Sequence, residues 1–211
     1  MRGIILILAW RGAEKGGFAL HDESATFNGA EAAKLRMMPV PEGCILNPAT
    51  DAKHLVESAV AEFMRVDPSD TGDRLLVPRW QGSEWARLFS RATPLRLQPG
   101  EVLIQQSDQD CGLFFVVSGK LQVAATSHAN SSVTAITSIS PGSVVGELAF
   151  FDRGPRSAKV WAVTPTSLLK LTLSNYESYS RDYPAEAAQF LFAMTRLLSV
   201  RVRSTTARLY Y

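Results

Sequence analysis

Gly146-Glu147-Leu148-Ala149-Phe150-Phe151-Asp152-Arg153-Gly154-Pro155-Arg156-Ser157-Ala158 gathers the parts of an anion site into one short segment. The glycine at its head lets backbone approach a ligand. The apolar turn after it presents backbone N–H groups of the kind that bind phosphate at helix N-termini. Arg156 follows Glu147 by nine residues and offers a planar, two-pronged donor suited to phosphate oxygens. A carboxylate beside a phosphate is repulsive unless it faces a neutral group rich in donors. Glu147 is therefore placed for the hydroxyls of a sugar.

Outward from this segment the chain reads as short strands punctuated by turn residues. Pro141-Gly142 leads into it, Gly112 precedes the apolar run Leu113-Phe114-Phe115-Val116-Val117, Ser118-Gly119 turns that run, and Gly100 follows Pro99. Strands are expected at 95–97, 102–105, 113–117, 121–125, 133–139, 159–163 and 167–172, with a polar hairpin tip over 127–132. This spacing predicts a small antiparallel sandwich or β-roll. A helix over 84–91, with Ser83 as its cap, precedes the strands. Two helices follow, one over 175–182 with Ser174 as cap and Pro184 as stop, the other over about 185–208.

The opening segment resembles the phosphate-binding cassette of cyclic nucleotide-binding domains, roughly F-G-E-x-A-L, a variable spacer, then R-x-A. Val145 stands where the family has Phe, while Gly146, Glu147, Ala149, Arg156 and Ala158 match. The likeness extends over about residues 83–209. It implies an α+β fold: an antiparallel β-roll of the double-stranded β-helix, jelly-roll type, with flanking helices. It assigns nucleotide binding to Gly146, Glu147, Leu148, Ala149, Arg156, Ser157 and Ala158. In that assignment Arg156 and backbone amides hold the phosphate, and Glu147 accepts from the ribose 2′-hydroxyl. Ser157 bears on the base: relatives that prefer guanine carry Thr there, and the bacterial catabolite activators carry Ser. The ligand expected is cAMP, with cGMP as the alternative.

The last helix carries an apolar stripe, Phe190, Leu191, Met194, Leu197, Leu198 and Val202. The resemblance makes it a lid that moves when nucleotide enters. Arg201, Arg203 and Tyr210 are then candidates to cap the base by stacking or cation–π contact. The partner expected is an effector protein or a second copy, met through this helix.

Taken without context, an Arg in a turn is a solvated surface charge, and a Glu at a helix start merely complements the dipole. Buried in a roll without ligand, Arg156 needs another anion or water beside it.

Bulk properties exclude several classes. With 211 residues and a net charge of +2, the chain shows no field for nucleic acid or another polyanion. Cys44 and Cys111 lack metal or redox spacing and read as reduced thiols of a cytoplasmic protein. No apolar run reaches the roughly twenty residues of a membrane span. His21, His54 and His128 fall outside the expected roll strands, so a metal-dependent cupin is not expected. No nucleophile context is present either, and the expectation is a non-enzymatic, metal-free regulatory module.

The first part of the chain, 1–72, reads as a small α/β segment, and 73–211 as the nucleotide-binding domain. Its strand is expected at 4–10 and a second at 44–46. Its helices are expected at 29–38 and at 52–65, the latter capped by Asp51 with Leu55, Ala59 and Phe63 on one face. A polar linker covers 67–73. The segment bears a faint likeness to the end of an anti-sigma-antagonist (STAS) domain. The chain stops soon after the last helix, and the winged-helix DNA reader of the catabolite activators is therefore not expected in it. The expectation is a sensor that passes ligand binding through its C-terminal helix. The alternatives are the regulatory end of a larger transporter or enzyme of the sulfate permease/STAS type, and a ligand-free roll used as a dimerisation scaffold.

Overall fold

A computed structural model describes residues 48–65, 73–126 and 133–210. The expected elements at 4–10, 29–38 and 44–46, the linker over 67–72 and the hairpin tip over 127–132 lie outside the described residues. The expected antiparallel roll is present, flanked by helices. Helix α1 spans Pro48–Met64 and α2 Gly82–Phe89. Strands follow at Thr93–Leu97 (β1), Val102–Ile104 (β2), Leu113–Ser118 (β3), Leu121–Thr126 (β4), Val133–Ile139 (β5) and Val144–Val145 (β6). Helix α3, Glu147–Asp152, leads to β7, Lys159–Ala162, and β8, Thr166–Leu171. Helices α4, Leu173–Asp182, and α5, Pro184–Tyr210, complete the order.

Two antiparallel sheets form, in the orders β1-β8-β3-β6 and β2-β7-β4-β5. β3 explains the layering. Its side chains alternate between faces, and both faces are buried, so the strand reads as an unbroken apolar run. Phe114 and Val116 point into the roll with Leu97, Ile104, Leu121, Val145, Val160 and Leu168. Leu113, Phe115 and Val117 point the other way, into a helical layer built on Phe63, Trp85, Phe89 and Phe190. In that layer the Phe115 ring meets Phe63 at 5.6 Å and Phe89 at 5.1 Å, edge to face, a favoured geometry for aromatic pairs.

The face of α1 expected from the sequence is the buried one: Leu55, Ala59 and Phe63 all pack into the helical layer. The described part of the N-terminal segment therefore shares a core with the roll, and Ile45–Val200 make one compact unit.

Three cap assignments are corrected. α1 begins before Asp51, which falls in the first turn and lies 3.8 Å from the Arg96 guanidinium. α2 is capped at Gln81, whose N–H donates to the Glu84 carboxylate at 2.8 Å; Ser83 lies inside the helix. That hydrogen bond holds the Glu84 carboxyl below its ordinary range. α4 is capped by Thr172, whose Oγ1 accepts from the Asn175 N–H at 3.2 Å, because Thr172, not Ser174, stands three residues before that amide. Pro184 stops α4 and also starts α5, since a proline at the first helical position gives up an amide that has no partner there.

The stripe on α5 is corrected as well. Ala187, Phe190, Ala193, Met194 and Leu197 are buried, whereas Leu191 and Val202 face outward. Phe192 is 73 % exposed. Tyr176 Oη donates to the Ala187 carbonyl at 3.1 Å and Trp80 Nε1 to Gln189 Oε1 at 3.1 Å, fixing the first turns of α5 to the helical layer.

Candidate phosphate-binding site

The cassette hangs from β3. Val145 and Val144 of β6 pair with Phe114 and Phe115, two residues that sit on opposite faces of the sheet. Gly146 then takes a left-handed conformation, φ 82°, and turns the chain into α3. The first α-helical bond of α3 runs from the Phe150 N–H to the Gly146 carbonyl, at 3.2 Å. Arg153 ends the helix in a left-handed conformation, φ 56°, and its guanidinium lies 3.5 Å from Glu177 on α4. Asp152 Oδ1 accepts from the Gly154 N–H at 2.8 Å and closes the following turn. The chain next pairs with the connection between β2 and β3: Arg156 N–H donates to the Asp108 carbonyl, and Ser107 N–H to the Arg156 carbonyl, both at 2.8 Å. β7 starts only at Lys159, so Arg156 stands in the loop ahead of the strand rather than opening it.

The Arg156 side chain is 2 % exposed. Its Nη1 donates to the Gly146 carbonyl at 2.9 Å. Its Nη2 donates to the Gly112 carbonyl at 2.7 Å and to Asp110 Oδ2 at 2.8 Å. The guanidinium carbon lies 5.6 Å from the centre of the Phe114 ring. Asp110 is thus the anion that a buried Arg needs. Lys170 Nζ stands 3.2 Å from the other Asp110 oxygen, and 5.6 Å from the same Phe114 ring. Burial alone would push the Asp110 carboxyl up, but the hydrogen bonds from Arg156 and Lys170 outweigh it and hold the group below its ordinary range.

Asp110 and Lys170 lie outside the cassette and are not among the residues expected at the site. One signal was available for Lys170. It lies two residues after Leu168 on β8 and opposite Phe114, so the strand period places a charge on the inward face of the roll.

The other expected residues are distributed around this centre. Glu147 is half-buried at the first position of α3, Leu148 is exposed and Ala149 is buried. Ser157 is exposed and Ala158 half-buried, in the bend before β7. Gly146 is required for a reason the sequence did not show. A Cβ there would collide with Arg156 Nη1 and come within 2.8 Å of the Gly112 carbonyl, so the close approach it allows is that of the arginine. Of the candidate base caps, Arg201 is half-buried, Arg203 is exposed, and Tyr210 closes α5. Among the described residues no group of His, Cys, Asp and Glu is placed to hold a metal, and no helix is long and apolar enough to cross a membrane.

Residues 94–183 match the family described as cyclic nucleotide-binding domain, and this part of the chain belongs to it. The chain is 33 % identical over 104 residues to the cyclic AMP receptor protein of Thermus thermophilus, a match covering 49 % of this chain and 48 % of that protein. It is 38 % identical over 107 residues to the acetyltransferase Pat of Mycolicibacterium smegmatis, covering 50 % of this chain and 31 % of that one. A match to glutaminase 2 of Bradyrhizobium diazoefficiens is 28 % identical over 137 residues, covering 65 % of this chain and 21 % of the enzyme. The chain therefore spans about half the length of these curated relatives, or less. In fold it is similar to a cyclic nucleotide-binding domain from Methylobacillus flagellatus, with TM-score 0.63, 20 % identity and coverage of 74 % of this chain and 83 % of that one. The catabolite activator protein of Thermus thermophilus superposes with TM-score 0.56 at 26 % identity, over 63 % of this chain and 60 % of that one.

Proposed function

We propose that the roll binds cAMP at Arg156 and reports it through α4 and α5, as a non-enzymatic regulatory module of the cytoplasm. The observation that carries this reading is the buried guanidinium of Arg156, aimed at the cassette and held in place by Gly146, Gly112 and Asp110. Charge balance supports a cyclic phosphate. Arg156 and Lys170 exceed Asp110 by one positive charge, and Glu147 in the same cassette offsets it, a balance that suits the single negative charge of a phosphodiester better than the near-dianion of a monoester. Glu147 takes the ribose, with Leu148, Ala149, Ser157 and Ala158 lining the remainder. Arg201, Arg203 or Tyr210 cap the base, and an effector protein or a second copy receives the signal.

The route of transmission is a packed chain of residues. Phe150 of α3 meets the Tyr176 ring of α4 edge-on at 5.8 Å, and the Tyr176 hydroxyl bonds the Ala187 carbonyl of α5. A ligand that favours one position of α3 shifts α5 by its differential affinity for the two positions.

Calorimetric titration with cAMP, cGMP and AMP, on nucleotide-free protein and on Arg156→Leu, tests this. Binding of cAMP is expected to be tightest, and the variant to lose two to four decades of affinity, since stranding a buried charge costs about 3–5 kcal/mol. No heat with either cyclic nucleotide would sink the reading. The glutaminase match favours a second reading for the whole protein, in which this domain regulates an enzyme encoded with it.

A further inference from the structure

Resting on the phosphate-binding reading of Arg156, we infer that Asp110 is a built-in competitor for the ligand phosphate and that Lys170 receives it when the ligand arrives. A guanidinium presents two edges with paired donors, one end-on and one side-on, and the Nη2 nitrogen belongs to both. Both Nη2 hydrogens of Arg156 are engaged, one by the Gly112 carbonyl at 2.7 Å and one by Asp110 Oδ2 at 2.8 Å. A phosphate can make a two-point contact only by displacing one of them.

The Gly112 carbonyl cannot leave, because it belongs to buried backbone at the head of β3. Asp110 can, because its side chain is 51 % exposed, on the connection between β2 and β3. Its second oxygen already lies 3.2 Å from Lys170 Nζ, whose side chain is 35 % exposed and able to follow. A small rotation of Asp110 toward Lys170 frees Arg156 and leaves neither charge unpaired. Phe114, under both cations, provides a face over which they can shift without meeting another charge. Arg156 then has an anionic partner in both the empty and the filled site, and affinity is set by the difference between two anions on one arginine. The competition also favours a ligand that brings its own charge over a neutral nucleoside.

A double-mutant cycle reads this directly: cAMP titrations of the wild type, Asp110→Asn, Lys170→Gln and the double variant, each first shown folded by its thermal melt. Competition predicts that Asp110→Asn binds about fivefold more tightly, the worth of a partly exposed ion pair. Lys170→Gln should bind more weakly, because the displaced carboxylate has no partner, and the effect should vanish in the Asp110→Asn background. Weaker or unchanged binding by Asp110→Asn makes Asp110 a positioning residue and overturns the inference while leaving the phosphate site intact. A Lys170→Gln loss that persists in the double variant makes Lys170 a direct phosphate ligand and also overturns it. Absence of cAMP binding by the wild type overturns the underlying reading itself.

Discussion

Arg156 fills the space that a side chain on Gly146 would need. The Gly146 carbonyl accepts from Arg156 Nη1 at 2.9 Å, and the backbone there is left-handed, with φ 82°. One residue thus answers to two demands, a turn into α3 and room for a buried guanidinium. Gly146→Ala should fail on both. The left-handed conformation costs about 1–2 kcal/mol for an L side chain, and pushing Arg156 off its acceptors adds roughly 1 kcal/mol more. Urea unfolding is expected to show a loss of about 2–3 kcal/mol in total. A change within about 0.5 kcal/mol, as for an ordinary surface substitution, would contradict the relationship.

Arg156→Leu should also lower stability in the absence of any ligand. It takes away the side-chain donor of the buried Gly112 carbonyl, a loss of about 1–3 kcal/mol, and one of the two bonds to the Gly146 carbonyl, which keeps the Phe150 N–H. Relief of the cost of burying a charge offsets part of this. The net expectation is a loss of about 1–3 kcal/mol by denaturant titration of the apo protein. Arg156→Lys should recover little of it, since an ammonium cannot reach three acceptors held in one plane.

Tyr176 gives an alkaline signature. Burial pushes its hydroxyl up to about 12 from an ordinary 10.0. The neutral form is the one that donates to Ala187. A raised folded value means that this contribution is complete below the unfolded value of about 10 and is lost as pH rises through the folded one. Stability should therefore fall between pH 10 and pH 12. Tyr176→Phe should lose about 1 kcal/mol at neutral pH and flatten that alkaline fall. Tyr179, raised by burial and by its bond to Glu186, keeps a residual slope. If transmission runs through Tyr176, cAMP should also cease to change hydrogen exchange over residues 184–197 in this variant, while still binding.

The roll was legible because its strands are short, apolar and bounded by Gly and Pro, and the cassette because its residues lie close together in the chain. What escaped notice lies far apart in sequence. Asp110 and Arg156 meet because the end of the cassette pairs with the connection between β2 and β3 at Ser107 and Asp108, and Lys170 joins them because β8 pairs with β3. No local spacing encodes that meeting. The caps at Gln81 and Thr172 escaped for a different reason: several polar residues stand near each helix start, and the helix begins wherever one of them reaches the right amide. The stripe on α5 was misjudged at Leu191 and Val202 because helical period alone does not say which flank of a broad apolar face meets the core.

The turn that feeds the cassette is tied to α1 by an ion pair whose removal should depend strongly on how it is done. Glu62 accepts from Arg74 Nη2, and Arg74 lies against Gly142, where a Cβ would come within 2.8 Å of its guanidinium. The adjacent Leu75 N–H donates to the Gly142 carbonyl at 2.9 Å. Arg74 Nε is buried without a hydrogen-bond partner among the described residues, so the pair already carries an unmet cost. Glu62→Gln leaves the guanidinium in place and takes away its counter-charge. It is expected to lose about 1–3 kcal/mol, the worth of a hydrogen bond to a charged group. The double change Glu62→Met with Arg74→Met removes both charges and the orphaned donor together, and should come out near neutral. Denaturant titration of the two variants decides the matter: a double variant less stable than Glu62→Gln would mean that the pair contributes net stability rather than orientation. Hydrogen exchange at the Leu75 amide tells whether α1 holds the turn. Faster exchange there in Glu62→Gln, with the amides of β4 unchanged, is the outcome expected of a local tether between the N-terminal helix and the strand that starts the phosphate site.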